Sequence, residues 1–326
     1  VFEYIAMNEQ SYIIRPYKKG DESSVNKGFN EVFQLKRSIE EWHWKYNPER
    51  NGSSIMVAVD EKNSVFAHYA ATFVDIVVNG KVYKCAQPVD VYSVKQKGSV
   101  QHRLYLKTVR EFFKTFGAKD KIQLLFGFPS ARVLKLGQIK LDYGDPVPVI
   151  VGKRAIKNRR RIFKKRPKNY NCNLDAIEEL WARSSHRYPV SVVRNANYIK
   201  RRYLERPKNK YFFLTIEDGD AIKVFSVFEY SKFSIKWIDL IWDGDDREHL
   251  IAMDELVEKV TGLAGVKGNE MWIANDQKAE DVFIERGWEF SQHHELFLVA
   301  MSFHPDLDSN KFINGFYFTM ADSDLV

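Results

Sequence analysis

Short apolar runs bounded by turn residues alternate along the chain with segments whose apolar positions recur every three to four residues, the pattern of strands interleaved with helices. Tyr12 to Pro16 predicts a short strand closed by proline, and Val25, Phe29, Val32 and Phe33 share one face of a helix with Asp21 as its N-cap. Ile55 to Val59 and Val65 to Val78 read as strands joined by the turn Asp60-Glu61-Lys62-Asn63. Asn79-Gly80 predicts a two-residue hairpin turn into a further strand, Val82 to Tyr92. A helix follows with Leu104, Val109, Phe112, Phe113 and Phe116 on one face, then the strand Ile122 to Phe126 and a short helix expected to stop at Gly137 in a left-handed cap.

The second half repeats this order. Asn173 caps a predicted helix bearing Leu174, Ile177 and Trp181; Tyr211 to Ile216 turns through Glu217-Asp218-Gly219-Asp220 into Ile222 to Tyr230, and Ile235 to Trp242 is the next strand. Leu250, Met253, Val257, Val260 and Ala264 form one clean helical face, followed by the strand Met271 to Ala274 and a helix ending at Gly287. Met56 to Phe66 matches Phe213 to Lys223 as strand, acidic turn and strand, and Leu125 to Gly137 matches Trp272 to Gly287 as strand, helix and glycine. Such self-similarity predicts a duplicated α/β (α+β) domain, with boundaries at 1–150, a basic linker at 151–170, and 171–326. Near the end, Phe316, Phe318 and Met320 alternate with Tyr317 and Thr319. This predicts a strand with one apolar face that docks on a sheet and ends in the carboxylates Asp322 and Asp324.

Composition changes this picture in two places. A chain of 326 residues, 44% hydrophobic and 29% charged, suits two packed domains. The net charge of +7 suggests a nucleic-acid binder, yet ten basic residues and no acidic one lie between Lys153 and Lys168. Without those ten the chain carries −3, so the basic character belongs to a segment that could meet phosphates or lie solvated. No apolar run reaches the roughly 18 residues of a membrane span, and a cytoplasmic, reduced protein is expected, with Cys85 and Cys172 as packing residues. His293-His294-Glu295 is the only His-rich run; strand alternation points its side chains to opposite faces, and no metal site is expected.

The segment Val89-Asp90-Val91-Tyr92-Ser93-Val94-Lys95-Gln96-Lys97-Gly98-Ser99-Val100, between a central strand and a long helix, resembles the phosphate loop of the GNAT (Gcn5-related N-acetyltransferase) superfamily. That family's pattern is Arg or Gln, two residues, Gly, one residue, then Gly or Ala. Here Lys95 leads, Gly98 is retained, and Val100 stands where a small residue is usual. Glu41 to Pro48 is similar to the aromatic segment of GNAT relatives with two such domains, and Leu125 to Ser130 to their strand end, with Ser130 where asparagine is common. The resemblance implies two GNAT-like domains, each a mixed, mostly antiparallel sheet flanked by helices. It implies acetyl-CoA or a related acyl-CoA held in the first half by Val91, Ser93, Lys95, Lys97, Gly98, Ser99, Val100 and Ser130. The corresponding stretch of the second half, Trp242 to Glu248, is acidic and would repel a pyrophosphate.

Acyl transfer to a small-molecule amine needs a proton acceptor for the amine and a proton for the leaving thiolate. Asp90 is the candidate base, with a backbone- or arginine-satisfied strand carboxylate as the alternative; strand alternation places Tyr92 on its face, as candidate acid. Tyr143 could replace Tyr92, and His68 or His102 could serve as base. Trp42 and Trp44 could wall the acceptor pocket, and Asp322 and Asp324 could attract a protonated amine to its rim. Two other functions fit the pattern: a Fem-type aminoacyl transferase, whose donor is tRNA, and a GNAT-like protein that binds a ligand without turnover.

Overall fold

The computed structural model describes residues 3–7, 10–46, 53–95, 100–141, 143–156, 172–208 and 210–324. The chain forms two compact units, one from Val1–Asp75, Tyr83–Asp145 and Val299–Lys311, the other from Ile76–Val82, Pro146–Leu298 and Phe312–Val326. Neither unit is continuous in sequence, so a single boundary near residue 150 does not separate them.

In the first unit the order is β1 (Glu3–Met7), β2 (Gln10–Pro16), α1 (Glu22–Phe33), α2 (Ile39–Tyr46), β3 (Ser53–Val59), β4 (Val65–Val78), β5 (Lys81–Ser93), α3 (Val100–Phe116), β6 (Leu124–Gly127) and α4 (Ala131–Lys140). The strands lie side by side in that order, and residues 299–302 pair antiparallel with β6. Both faces of the sheet are covered, and β3 is accordingly an unbroken apolar run from Ile55 to Val59. Met56 and Ala58 face the α3 side with Leu104, Val109 and Phe112, while Ile55, Val57 and Val59 face α1 and α2 with Val25, Phe29, Trp42 and Tyr46. Asn79 and Gly80 have φ of 49° and 83°, the two left-handed residues of a type I′ turn.

Two local expectations give way to packing. Asp21 stands at the N-cap of α1 but makes no capping bond from its side chain; Arg15 takes its carboxylate at 2.6 and 2.9 Å. Gly137 does not end α4, which continues to Lys140. It is glycine because the Tyr143 ring fills the space of a Cβ.

The second unit contains β7 (Val147–Ala155), α5 (Leu174–Ser184), β8 (Val190–Val192), α6 (Ala196–Ile199), β9 (Tyr211–Asp218), β10 (Ala221–Tyr230), β11 (Ser234–Trp242), α7 (Arg247–Ala264), β12 (Gly268–Ala274), α8 (Gln277–Glu285) and most of β13 (Glu289–Ser302), with α9 (Ser309–Gly315) and β14 (Phe318–Thr319) near the end of the chain. Its strands run β13-β7-β12-β11-β10-β9. From β9 to β13 the chain repeats the sequence β3 to β7 of three strands, helix, strand, helix and strand, and in both series the third and fourth strands pair in parallel.

The start of the expected linker is strand β7. Its Arg154 is buried, donating to Asp254 on α7 at 2.5 Å, so this member of the basic run is an interior ion-pair partner. The run from 157 to 171 lies outside the described residues. Among the described residues no helix is long and apolar enough to cross a membrane, and no cluster of three or more His, Cys, Asp or Glu side chains could hold a metal.

Candidate functional site

The site begins at a defect in the sheet of the first unit. β5 and β6 pair in parallel only at Cys85 with Leu124 and Ala86 with Leu125, although β5 continues to Ser93 and β6 to Gly127. Pro88 gives the reason, since a residue without an N–H cannot extend the ladder. Beyond Ala86 the ladder stops, although Pro88 still lies within van der Waals reach of Gly127, and the chain leaves β5 for the segment that leads into α3.

Two residues after Pro88, Asp90 adopts φ of 49°, the left-handed region, inside a strand. Such a residue makes a bulge and shifts the alternation by one. Val89 and Tyr92, three apart, therefore pack on the same side against α1 and α2, while Val91 turns to the α3 side. Asp90, whose carboxylate meets Arg37, Lys45 and Tyr46, and Tyr92 do share the α1/α2 face, as alternation puts them, but Val89 shares it too.

The bulge is held from several directions. Lys45 donates to Asp90 Oδ1 at 2.6 Å, and Tyr46 to Oδ2 at 2.6 Å; Arg37 also pairs with Oδ2. Burial alone would raise the Asp90 pKa, but Lys45, Arg37 and the Tyr46 hydroxyl outweigh it and hold the carboxyl well below the usual range. A carboxylate so engaged matches the alternative reading of Asp90, a strand carboxylate satisfied by an arginine and its neighbours. His68 Nδ1 lies 2.8 Å from the Asp90 carbonyl oxygen, and its ring stacks on Tyr92 at 5.1 Å. Tyr92 donates its proton to the Val25 carbonyl at 2.7 Å, and burial raises its pKa, so its hydroxyl is committed to α1.

Burial lowers the His68 pKa to about 4, against the opposing pull of the Asp90 carbonyl. The neutral ring is native, and unfolding lets it bind a proton at pH below about 6.5. This group's contribution to stability is thus fully present above pH 6.5 and is lost as pH falls toward 4, a change of ~3 kcal/mol. Replacing His68 with asparagine should flatten the stability profile between pH 6.5 and 4 in urea unfolding; an unaltered slope would place the titration elsewhere.

Gly28 on α1 is the seat for Tyr92. A Cβ there would lie 2.7 Å from the Tyr92 hydroxyl oxygen and 2.8 Å from a ring carbon. Gly28→Ala should displace the ring, break its bond to Val25 and cost about 1–3 kcal/mol by overpacking, despite alanine's better helix propensity. Thermal unfolding of the variant checks the sign.

The remaining expected residues fall into three groups. Val91 and Ser93 are half-buried at the end of β5, Lys95 is exposed beyond it, and Ser130 is the exposed N-cap of α4, without a side-chain capping bond. Lys97, Gly98 and Ser99 lie outside the described residues; Val100 opens α3, whose first turn has no acidic residue. Trp42 is fully buried against Tyr17, His43 and Tyr46, a core residue in place of a pocket wall, whereas Trp44 is half-buried.

Asp322 and Asp324 belong to the second unit. There β11 and β12 pair only from Ser234 with Gly268 to Trp237 with Met271, and part beyond. Near that gap, β14 pairs antiparallel with β12 at Ile273 and Ala274. On the β11 side, Tyr317 donates to the Leu240 carbonyl at 2.8 Å and Thr319 to Asp239 at 3.0 Å. The segment from Phe316 to Ser323 is consequently buried on both faces, not on one, and only Phe318–Thr319 is strand. Asp322 is an interior residue that accepts from Arg194 at 2.6 Å and from the Thr319 amide at 2.8 Å, and Asp324 is exposed. The two carboxylates do not form one acidic rim.

An arginine partner for Asp90 was the alternative expectation and is Arg37, whereas Lys45 and Tyr46 as further holders were not expected. The available signal was Pro88, since a proline inside an otherwise central strand marks a break.

A strand pair that opens ahead of a long helix, in a mixed sheet covered on both faces, is the architecture of the GNAT acyltransferases. Residues 13–133 match the family model of the acetyltransferase (GNAT) domain. The chain has the GNAT fold, and its first unit carries a GNAT domain. It is similar to a probable N-acyltransferase from Enterococcus faecalis V583, with a TM-score of 0.66 and 11% identity over 90% of this chain and 72% of that one. It is also similar to a GCN5-related N-acetyltransferase from Anabaena variabilis ATCC 29413 (TM-score 0.62, 11% identity, 88% and 72% covered). Saccharomyces cerevisiae N-myristoyltransferase with bound myristoyl-CoA is similar at a TM-score of 0.57 and 12% identity, with 92% and 84% covered. No curated protein matches the chain by sequence.

Proposed function

We propose that the chain transfers an acyl group from an acyl-CoA, acetyl-CoA or a close relative, to an amine, and that the donor lies in the first unit. The observation that carries this reading is the end of the β5–β6 ladder after Ala86 within the segment that matches the GNAT domain. A strand edge released from its partner offers backbone amides to the donor's amide-containing arm and to the thioester oxygen, whose charge grows as the amine attacks. The amine nitrogen bonds to the carbonyl carbon, the C–S bond breaks, and the thiolate leaves. Because Asp90 and Tyr92 are engaged elsewhere, the amine's proton and the thiolate's proton pass through water.

Val91 and Ser93 would flank the thioester arm. Lys95, Lys97, Gly98, Ser99 and Val100 would meet the pyrophosphate, with Ser130 across the opening. Cationic side chains and helix N-terminal amides favour an anion there, and α3 places no carboxylate in its first turn. The second unit lacks these features: Asp246 accepts from an N-terminal amide of α7, and the chain's own β14 pairs with β12 beside the opening.

Release of free thiol from acetyl-CoA, measured against a panel of amines, tests turnover. Amine-dependent release that disappears in Gly98→Glu is the expected result; release without any amine dependence would overturn it. The engaged Asp90 and Tyr92 also favour a second reading, a domain that binds acyl-CoA without turnover, for which binding persists and no amine releases thiol.

A further inference from the structure

The two units carry a helix pair at corresponding places in their strand order, α3 and α4 in the first and α7 and α8 in the second, yet the pairs differ in charge. α3 and α4 hold seven lysines and arginines against one carboxylate, a net +6. α7 and α8 hold three against seven, a net −4. A helix packed on a sheet needs a polar outer face, and charges of either sign or of both serve that need. Packing therefore does not account for a surface of one sign.

The cations of the first unit are ordered along the helices. Arg103, Lys107, Arg110 and Lys114 follow at spacings of four, three and four, one stripe along α3, with the half-buried Glu111 paired to Lys114 at 3.5 Å. Arg132, Lys135 and Lys140 are exposed on α4, and Arg110 donates to the Lys140 carbonyl at 3.3 Å, which sets the two helices side by side. Because β5 and β6 are parallel, α3 and α4 both start at the sheet edge where the ladder between those strands has ended. The basic surface thus begins beside the place assigned to the thioester donor and runs away from it.

Its length argues against a nucleotide as the whole occupant. Arg103 and Lys114 lie about 16 Å apart along the helix axis, whereas a pyrophosphate gathers its charge at a helix N-terminus. Its composition argues against a nucleic acid. Ile139, 63% exposed, shares one face of α4 with Arg132 and Lys135 at spacings of three and four, and Val133 is 41% exposed beside them. A phosphate backbone gives such side chains no apolar partner, while an acidic amphipathic helix meets cations and apolar groups together.

We infer that the α3–α4 face docks a small acidic protein that carries the acyl thioester on a phosphopantetheine arm. This rests on the thioester-donor reading of the first unit. The arm is the one that CoA bears, so it lies along β5 in the same way, and the protein stands over the two helices in place of the nucleotide. The amine nitrogen bonds to the carbonyl carbon and the C–S bond breaks. The proton lost by the amine ends on the sulfur of the arm, which leaves with its carrier.

The test titrates the intact chain and Lys114→Glu/Lys135→Glu, two exposed positions, by calorimetry. The probes are acetyl-CoA, an acidic acyl carrier protein with an acetylated arm, and the same carrier without its arm. The acetylated carrier should bind the parent and lose at least about tenfold in affinity in the variant, where like charges face each other. It should lose a comparable amount in about 1 M salt. Acetyl-CoA should bind parent and variant alike. Equal binding of the acetylated carrier to both, or none to the parent, would overturn the inference. An equal loss for acetyl-CoA would assign the cations to the nucleotide and overturn it as well, as would transfer RNA binding through these lysines while the carrier does not. Failure of acetyl-CoA to bind the parent, with the armless carrier still bound and lost in the variant, would count against the thioester reading and in favour of the surface.

Discussion

Replacing Arg194 with methionine should abolish or nearly abolish folding of the second unit. Arg194 is wholly buried, its Nε donating to Asp239 at 2.8 Å and its Nη2 to Asp322 at 2.6 Å. Removing it leaves two interior carboxylates without their cation, and breaking one buried pair already costs about 3–5 kcal/mol. That is a large share of a typical domain's stability. Tyr203 donates to Asp239 at 2.8 Å and Thr319 at 3.0 Å, so some hydrogen bonding survives, but neither supplies a charge. The pH dependence separates lost charge pairing from lost packing. In the parent, burial raises the Asp322 pKa to about 6 although Arg194 opposes it. A raised carboxylate favours folding most at low pH and loses that contribution as pH climbs from about 4 through 6. Without Arg194 the carboxylates should resist ionisation further, so the variant's deficit in urea unfolding should be smaller at pH 5 than at pH 8. A deficit equal at both pH values would show that Arg194 acts through its volume alone.

The second large effect is expected at Asp90. Asp90→Ala removes the carboxylate that Arg37 and Lys45, with side chains only 9% and 20% exposed, both pair with, and asks alanine to hold a left-handed φ. The loss should be about 3–5 kcal/mol from the broken ion pairs, with roughly 1–2 more from the backbone. Asp90→Asn should cost less, because asparagine tolerates that conformation and still accepts hydrogen bonds. A general base would behave differently: either variant would keep its stability and lose only kcat. Urea midpoints measured beside kcat for both variants decide between the roles. Full stability with kcat lost by orders of magnitude would restore Asp90 as the base.

Much of the architecture is legible in the chain because each feature has a local cause. Asn79-Gly80 must turn, and Leu250, Met253 and Val257 must face a core, wherever the rest of the chain goes. The strand and the amphipathic helix that flank the candidate site were legible for the same reason, since each has its own sequence-local period. The chemistry of the site was not. A left-handed Asp90 is written in no period-two pattern, and neither its ion pairs nor the bond from Tyr92 to the Val25 carbonyl has a local signal. Gly137 looked like a cap because a glycine near the end of a helix usually is one; its partner, Tyr143, becomes visible only when the chain turns back. The alternation of Phe316, Phe318 and Met320 implied one buried face, yet the segment is covered on both. β7 was hidden by its own charge, since Lys153 and Arg154 read as the start of a basic run although Arg154 points into the interior.

Titration of the intact chain with acetyl-CoA, followed by calorimetry, tests most directly whether the opened strand pair of the first unit holds a thioester donor. One site per chain is expected, lost in Gly98→Glu and unaffected by charge reversal at Asp246 of the second unit. Two sites per chain, no binding, or binding indifferent to Gly98→Glu would contradict it.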